Sequence, residues 1–236
     1  MPTTTTAFVT GATQGIGRAT AFALGRAGYR VGACARTAAK VDALVAELRA
    51  EGVEAAGASA DVSDPAQVDR AVAAVVGELG EVGLLVNNAG VLIARPFEEL
   101  TLEDWDTTMA TNLRSLFLLT RAVLPAMRRK REGTVVNVAS LAGRNGFVGG
   151  AAYAASKHGV LGFSRSLMLE VRKEGIRVIA ICPGSVDTGM LREQPLLKSD
   201  PQRILRPEDV ADAIVHAVQL PQRALVSELD IRPTNP

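Results

Sequence analysis

The sequence predicts an α/β fold: a doubly wound, three-layer αβα sandwich around a seven-stranded parallel sheet. Two observations predict it. Short apolar, β-branched runs alternate with longer amphipathic stretches along the chain, which implies right-handed βαβ crossovers and a parallel sheet. The short runs are nearly continuous in apolar residues, as strands covered on both faces require.

Each element follows from its local signals. Strands are expected at 6–10 (TAFVT), 30–35 (RVGACA), 53–59, 83–87 (GLLVN), 133–139, 176–182 and 227–232. Helices are expected at 15–28, 38–51, 65–79, 101–130, 152–174 and 207–219. Thr101 with Asp104 three residues on has the form of a capping box. Pro65 and Pro207 sit in first turns beside Asp64, Glu208 and Asp209. Gly28, Gly52, Gly80 and Gly175 each follow a helical run as a stop. The longest irregular stretch, 184–206, has the length of a functional lid and is read as a substrate loop.

Composition bounds the rest. A chain of 236 residues with 47% hydrophobic content fits one domain over 1–236. At 22% charged it is not disordered, and a net charge of +1 argues against nucleic acid as a partner. Two histidines and two well-separated cysteines, Cys34 and Cys182, exclude a multi-histidine metal site and suggest buried thiols in a reducing compartment. No secretory signal or membrane span is legible, so a cytoplasmic protein without a membrane partner is expected.

The first strand runs into Thr10-Gly11-Ala12-Thr13-Gln14-Gly15-Ile16-Gly17. In a strand-to-helix turn Gly11 permits the tight bend, Gly15 lets backbone approach a pyrophosphate, and Gly17 lets the helix pack close to the sheet. The helix N-terminus adds free N–H groups and a positive dipole. An NAD-binding unit would carry Asp or Glu at the end of strand two, on the ribose 2′-hydroxyl. Here Arg36 and Thr37 stand there, and a guanidinium suits a 2′-phosphate.

This glycine turn, Asn87-Asn88-Ala89-Gly90, Tyr153-Ala154-Ala155-Ser156-Lys157 and Pro183-Gly184, in that order, resemble the short-chain dehydrogenase/reductase family, in its compact NADP(H)-preferring branch. The resemblance runs from strand one to about residue 220. It implies a Rossmann-like fold similar to carbonyl reductases and 3-oxoacyl-carrier-protein reductases, with NADP(H) as cofactor. It assigns Ser140, Tyr153, Lys157 and Asn112 to catalysis. It assigns cofactor binding to Gly11, Thr13, Gln14, Gly15, Ile16, Gly17, Arg36, Thr37, Asp61, Val62, Asn88, Ala89, Gly90, Tyr153, Lys157, Pro183, Gly184, Val186 and Thr188.

Tyr153 and Lys157 are four apart on one helix face. Reduction of a carbonyl leaves an alkoxide that needs a proton. Lowering a phenol's pKa by about three pH units toward neutrality takes roughly 4 kcal/mol, which an adjacent ammonium and an oxidised nicotinamide ring are expected to supply. Ser140, 13 residues before Tyr153, is placed to donate to the substrate oxygen. In the family the asparagine matching Asn112 holds a water that links the lysine to solvent.

The resulting expectation is NADPH-dependent reduction of a small ketone or aldehyde. A 3-oxoacyl carrier-protein reductase is the alternative, and a non-catalytic NADP-binding sensor is a third reading. The ending Ser227-Glu228-Leu229-Asp230-Ile231-Arg232-Pro233 has no glycine-rich turn and looks more like the carbonyl or 3-hydroxy-acid reductases. The expected pocket wall is apolar: Val91, Leu92, Leu141, Phe147, Val186, Met190 and Leu191. Arg95, Arg144 and Arg192 are candidate receivers of an acidic tail, with solvated surface charge the favoured reading. Leu113, Leu116, Phe117, Leu161, Phe163 and Leu167 exceed what one sheet face covers, so a homodimer or homotetramer is expected.

Overall fold

A computed structural model describes residues 5–194, 196–197 and 200–234. The strands are β1 (Thr6–Thr10), β2 (Arg30–Ala35), β3 (Ala55–Ser59), β4 (Val82–Asn87), β5 (Gly133–Val138), β6 (Ile176–Pro183) and β7 (Glu228–Ile231). They form a parallel sheet in the order β3-β2-β1-β4-β5-β6-β7. The chain winds outward from β1 to β3, returns beside β1 as β4, and then winds outward the other way. Where the winding reverses, between β1 and β4, the crossovers leave a crevice at the carboxyl ends of the strands.

The helices are α1 (Gly15–Arg26), α2 (Ala38–Ala50), α3 (Pro65–Leu79), α4 (Leu102–Met109), α5 (Ser115–Lys130), α6 (Ala151–Val171), α7 (Gly189–Arg192) and α8 (Pro207–Gln219). Strand alternation divides the core between two faces. Ala7, Val9, Val31 and Ala33 point to one side, where Leu24 of α1, Leu44 and Leu48 of α2 and Ile214 of α8 cover them. Phe8, Cys34 and Leu85 point to the other, under Val75 of α3, Leu119 and Met127 of α5 and Leu167 of α6. These are the three predicted layers.

The caps read from sequence form as expected. The Asp64 carboxylate accepts from the N–H groups of Ala66 and Gln67, and Thr101 and Asp104 bond reciprocally. Gly28, Gly52, Gly80 and Gly175 all have positive φ after their helices. The expected helix 101–130 is instead two helices joined by a π-helical turn, Ala110–Arg114. The cause is Asn112, whose side chain is committed to another part of the chain (below). The expected 152–174 helix ends at Val171 and finishes in a 3₁₀ turn, Arg172–Glu174.

The stretch 184–206 is more ordered than a plain loop. Val186 and Leu205 form a parallel bridge at its base, and it carries α7. Of the six apolar residues expected to be left over, Leu116, Leu161 and Leu167 are buried, and Leu113 and Phe163 pack on the core. Only Phe117 is exposed, and Leu116 packs with Val160 and Leu161 of α6. Other apolar side chains, Leu102, Trp105 and Leu169, are exposed on the same helices.

Candidate active site

The carboxyl ends of β1, β4, β5 and β6 surround a cleft of about 650 Å³. On its β1 side the glycine turn is held by close packing. A Cβ on Gly17 would collide with the Gly11 carbonyl oxygen and the Asn88 side-chain amide. Gly15 sits at φ +52°, with Thr188 3.1 Å from where its Cβ would be. The turn thus packs bare backbone against Asn88 and Thr188, and the N-terminus of α1 that it leads into carries the free N–H groups a diphosphate would take up. Gly17→Ala must push α1 off β1. The expected result is a loss of about 1–3 kcal/mol in denaturant unfolding together with weaker nucleotide binding. Wild-type stability and affinity would contradict this packing.

Thr10 ties the glycine turn to the next strand, a role sequence reading did not assign. Its hydroxyl accepts from the N–H groups of Asn88 and Ala89, both at 3.1 Å, and donates to the Val86 carbonyl. Asn88 Nδ2 returns to the Thr10 carbonyl at 2.9 Å. Deeper in the sheet, Asn87 donates to Asn137, directly across on β5, and Asn137 donates to Ser164 of α6. These buried polar groups fix the β4 turn against β1 and β5.

Arg36 follows β2 on the surface, and its guanidinium has no hydrogen bond or ion pair among the described residues. Thr37 is the N-cap of α2 and its hydroxyl makes no cap bond. Asp61 turns its carboxylate into its own loop, accepting from the Ser63 N–H at 2.8 Å and hydroxyl at 2.7 Å. Val62 is buried beside it. Ile16, Asn88, Gly90, Pro183, Gly184, Val186 and Thr188 line the cleft.

The four expected catalytic residues come together from three elements. Ser140 follows β5. Its hydroxyl accepts from the Ala142 N–H at 3.1 Å, so it caps a turn as well as facing Tyr153. Tyr153 and Lys157 lie one turn apart on α6, and the Lys157 Nζ is 5.6 Å from the tyrosine ring centroid. The Tyr153 ring meets Phe147 edge-on at 6.1 Å. Lys157 is buried and donates to the Val138 carbonyl at 2.8 Å.

Asn112 is wholly buried in the π-helical turn. It accepts from the Val91 N–H at 2.7 Å, donates to the Val91 carbonyl at 2.9 Å, and donates to the Ser156 hydroxyl at 3.1 Å. Ser156 in turn donates to the Tyr153 carbonyl at 2.7 Å. The β4 loop, the π turn and the Tyr153 turn are thus bonded together. Val91, expected in the pocket wall, does not line the cleft; its backbone N–H and carbonyl are both bonded to Asn112.

Burial dominates the electrostatics of the two ionisable groups. Burial pushes the Tyr153 phenol above its usual range, and the hydrogen bond with Ser140 pulls the other way. Burial also draws Lys157 down to about 8. The ammonium is aimed at a backbone carbonyl, and desolvation dominates both groups.

The remaining wall is mostly apolar, from Leu92, Leu141, Phe147, Met190, Leu191, Leu196 and Leu197, with Asn145, Ser185, Arg232 and Pro233 completing it. Across the cleft mouth the Gln194 side-chain oxygen accepts from the Ala94 N–H at 3.1 Å. The segment carrying α7 therefore lies over the cleft. The three candidate arginines are all engaged: Arg95 with Asp104, Arg144 with Glu228 and Asp230, and Arg192 with Asp187.

A family model described as short chain dehydrogenase matches residues 5–197. A Streptomyces virginiae protein named for a ketoacyl reductase of the monensin polyketide synthase is 48% identical over 190 residues, covering 80% of this chain and 73% of that one. A 3-oxoacyl-[acyl-carrier-protein] reductase from Synechocystis is 36% identical, covering 94% of this chain and 92% of its own. Among solved structures, an actinorhodin polyketide ketoreductase variant with NADPH superposes with a TM-score of 0.92 at 37% identity, covering 99% of this chain and 98% of that one.

Proposed function

This chain belongs to the short-chain dehydrogenase family, and on that premise we propose that Tyr153 is the general acid of an NADPH-dependent carbonyl reduction, with Ser140, Lys157 and Asn112 as its working partners. The protein is an oxidoreductase that reduces a ketone or aldehyde to an alcohol. The residues of the glycine turn, Arg36 and Lys157 suit NADPH, which supplies the hydride when bound. The observation that carries the assignment of roles is that Ser140 and Tyr153 line the same cleft, with the buried Lys157 Nζ 5.6 Å from the Tyr153 ring centroid.

Ser140 holds the substrate oxygen by donating a hydrogen bond that strengthens as negative charge develops there. Tyr153 passes its phenolic proton to that oxygen, and its raised pKa keeps the proton in place until then. Lys157 steadies the negative charge left on the phenol. Asn112 and Ser156 hold the backbone of the Tyr153 turn in register. The substrate we favour is a 3-oxoacyl compound, supported by the names of the relatives and by the apolar wall. NADPH consumption with a panel of 3-oxo esters, thioesters and simple ketones tests this. Preference for simple ketones over every 3-oxo compound would reject the substrate class.

Lys157 gives the reaction its pH dependence. Its pKa is lowered to about 8, so the ammonium is present below that pH and is lost as pH rises through it. Reduction should be steady on the acid side and fall on the alkaline side of about 8. A pH–rate profile that stays flat to about pH 10 would contradict this role for Lys157.

Leu102 and Trp105 of α4, Phe117 of α5 and Leu169 of α6 are exposed apolar side chains on neighbouring helices. They support a homodimer or larger homo-oligomer in which a second copy covers them. Light scattering at micromolar concentration should give at least twice the chain mass, and a monomer would contradict it. No described helix is long and apolar enough to cross a membrane. Free, buried Cys34 and Cys182 support a reducing, cytoplasmic setting.

A further inference from the structure

Between the Ser140 turn and α6 the chain makes a closed turn, Phe147-Val148-Gly149-Gly150. The Gly150 N–H donates to the Phe147 carbonyl at 3.0 Å, and Gly149 takes a φ of +77° at the third position, where a type II turn calls for glycine. The Gly149 carbonyl also accepts from the Arg95 N–H at 3.0 Å, which ties this turn to the loop after β4. Asn145, Gly146 and Val148 are exposed, whereas Phe147 is half-buried and lines the cleft.

Two neighbours hold the Phe147 ring in place. A Cβ on Gly150 would collide with the tip of the ring, so the ring rests on bare backbone at the start of α6. Its second partner is the Tyr153 ring, met edge-on with the centroids 6.1 Å apart. α6 leads from the carboxyl edge of the sheet back to the start of β6, so its first residues lie nearest the cleft mouth. Lys157 is four residues beyond Tyr153, about 6 Å further in at the rise of a helix, and is bonded to the Val138 carbonyl at the end of β5. Gly150 is three residues before Tyr153, about 4.5 Å further out. The lysine thus stands on the inner side of Tyr153 and the Phe147 ring on its outer side. A carbonyl bonded to the Tyr153 hydroxyl places its flanking carbons in the cleft that both rings line.

We propose that Phe147 is a specificity-determining residue: its ring sets the width of the cleft beside Tyr153, so that the site takes a straight 3-oxoacyl chain and disfavours one branched next to the reacting carbonyl. This rests on the 3-oxoacyl reading above and narrows its substrate class. The backbone bonds of the turn do not involve the ring, so a smaller side chain at 147 vacates the space and leaves the turn closed.

Steady-state kinetics at saturating NADPH test the proposal. The probes are the N-acetylcysteamine thioesters of 3-oxohexanoic acid and of its 2-methyl and 4-methyl derivatives, which carry a branch on one or the other side of the carbonyl. The ring stands to one side, so wild type should favour the straight chain over at least one branched chain by about tenfold or more in kcat/KM. Phe147→Ala should bring that ratio close to one by raising kcat/KM for the branched chain, and Phe147→Leu should fall between. NADPH affinity, read by fluorescence titration, should stay at the wild-type value in both variants. Equal use of all three thioesters by wild type, or a ratio unchanged in Phe147→Ala, would overturn the proposal. An equal fall in kcat/KM for all three in Phe147→Ala would make the ring a support for Tyr153 and overturn it too. Turnover of 2-hexanone beside none of the three thioesters would instead reject the 3-oxoacyl reading, and the proposal with it.

Discussion

Tyr153→Phe is expected to lower kcat for carbonyl reduction by about 10²–10⁴-fold while leaving NADPH affinity nearly unchanged. The substitution removes one oxygen and little else. The phenyl ring keeps its edge contact with Phe147, and Lys157 keeps its bond to the Val138 carbonyl. Ser140 still accepts from the Ala142 N–H, so the oxygen-binding hydroxyl stays in place. What is lost is the proton that burial holds on the phenol. Steady-state kinetics beside a fluorescence titration of NADPH separate the two effects. Turnover close to wild type would mean that another group delivers the proton.

Arg36 should make the protein prefer NADPH over NADH by about 10–150-fold, toward the lower end because the side chain is exposed. The guanidinium has no competing carboxylate among the described residues. Arg36→Ala should raise the KM for NADPH and hardly touch that for NADH. Ala35→Asp should go further and reverse the preference, because a carboxylate at the end of β2 repels the 2′-phosphate and accepts from a free 2′-hydroxyl. The NADPH preference should weaken as salt rises. Wild-type kinetics that favour NADH would reject this role for Arg36 and leave the proton chemistry of Tyr153 standing.

The sheet and most helices were legible because their signals are local. Apolar runs, Asp64, the Thr101–Asp104 pair and the four glycine stops each act within a few residues. The site was legible because the Gly11–Gly17 turn and the Tyr153–Lys157 spacing are fixed by backbone geometry. What escaped depends on partners far along the chain. The break at Ala110–Arg114 contains no proline or glycine, and it arises from bonds between Asn112 and Val91 and Ser156. The ties of Arg144 to β7 span more than eighty residues, so its charge read as free. The position of Arg232 depends on β7 lying next to β6, which no local pattern encodes. The desolvation of Tyr153 was not legible, because it depends on tertiary burial.

The measurement that bears most directly on the central claim is the stoichiometry of NADPH consumed and alcohol formed when the wild-type protein is given a 3-oxo substrate. The account predicts one alcohol per NADPH, at a rate that collapses in Tyr153→Phe carrying the same amount of bound NADPH. A protein that binds NADPH but yields no alcohol from any carbonyl compound, or one whose Tyr153→Phe variant turns over like wild type, would contradict it.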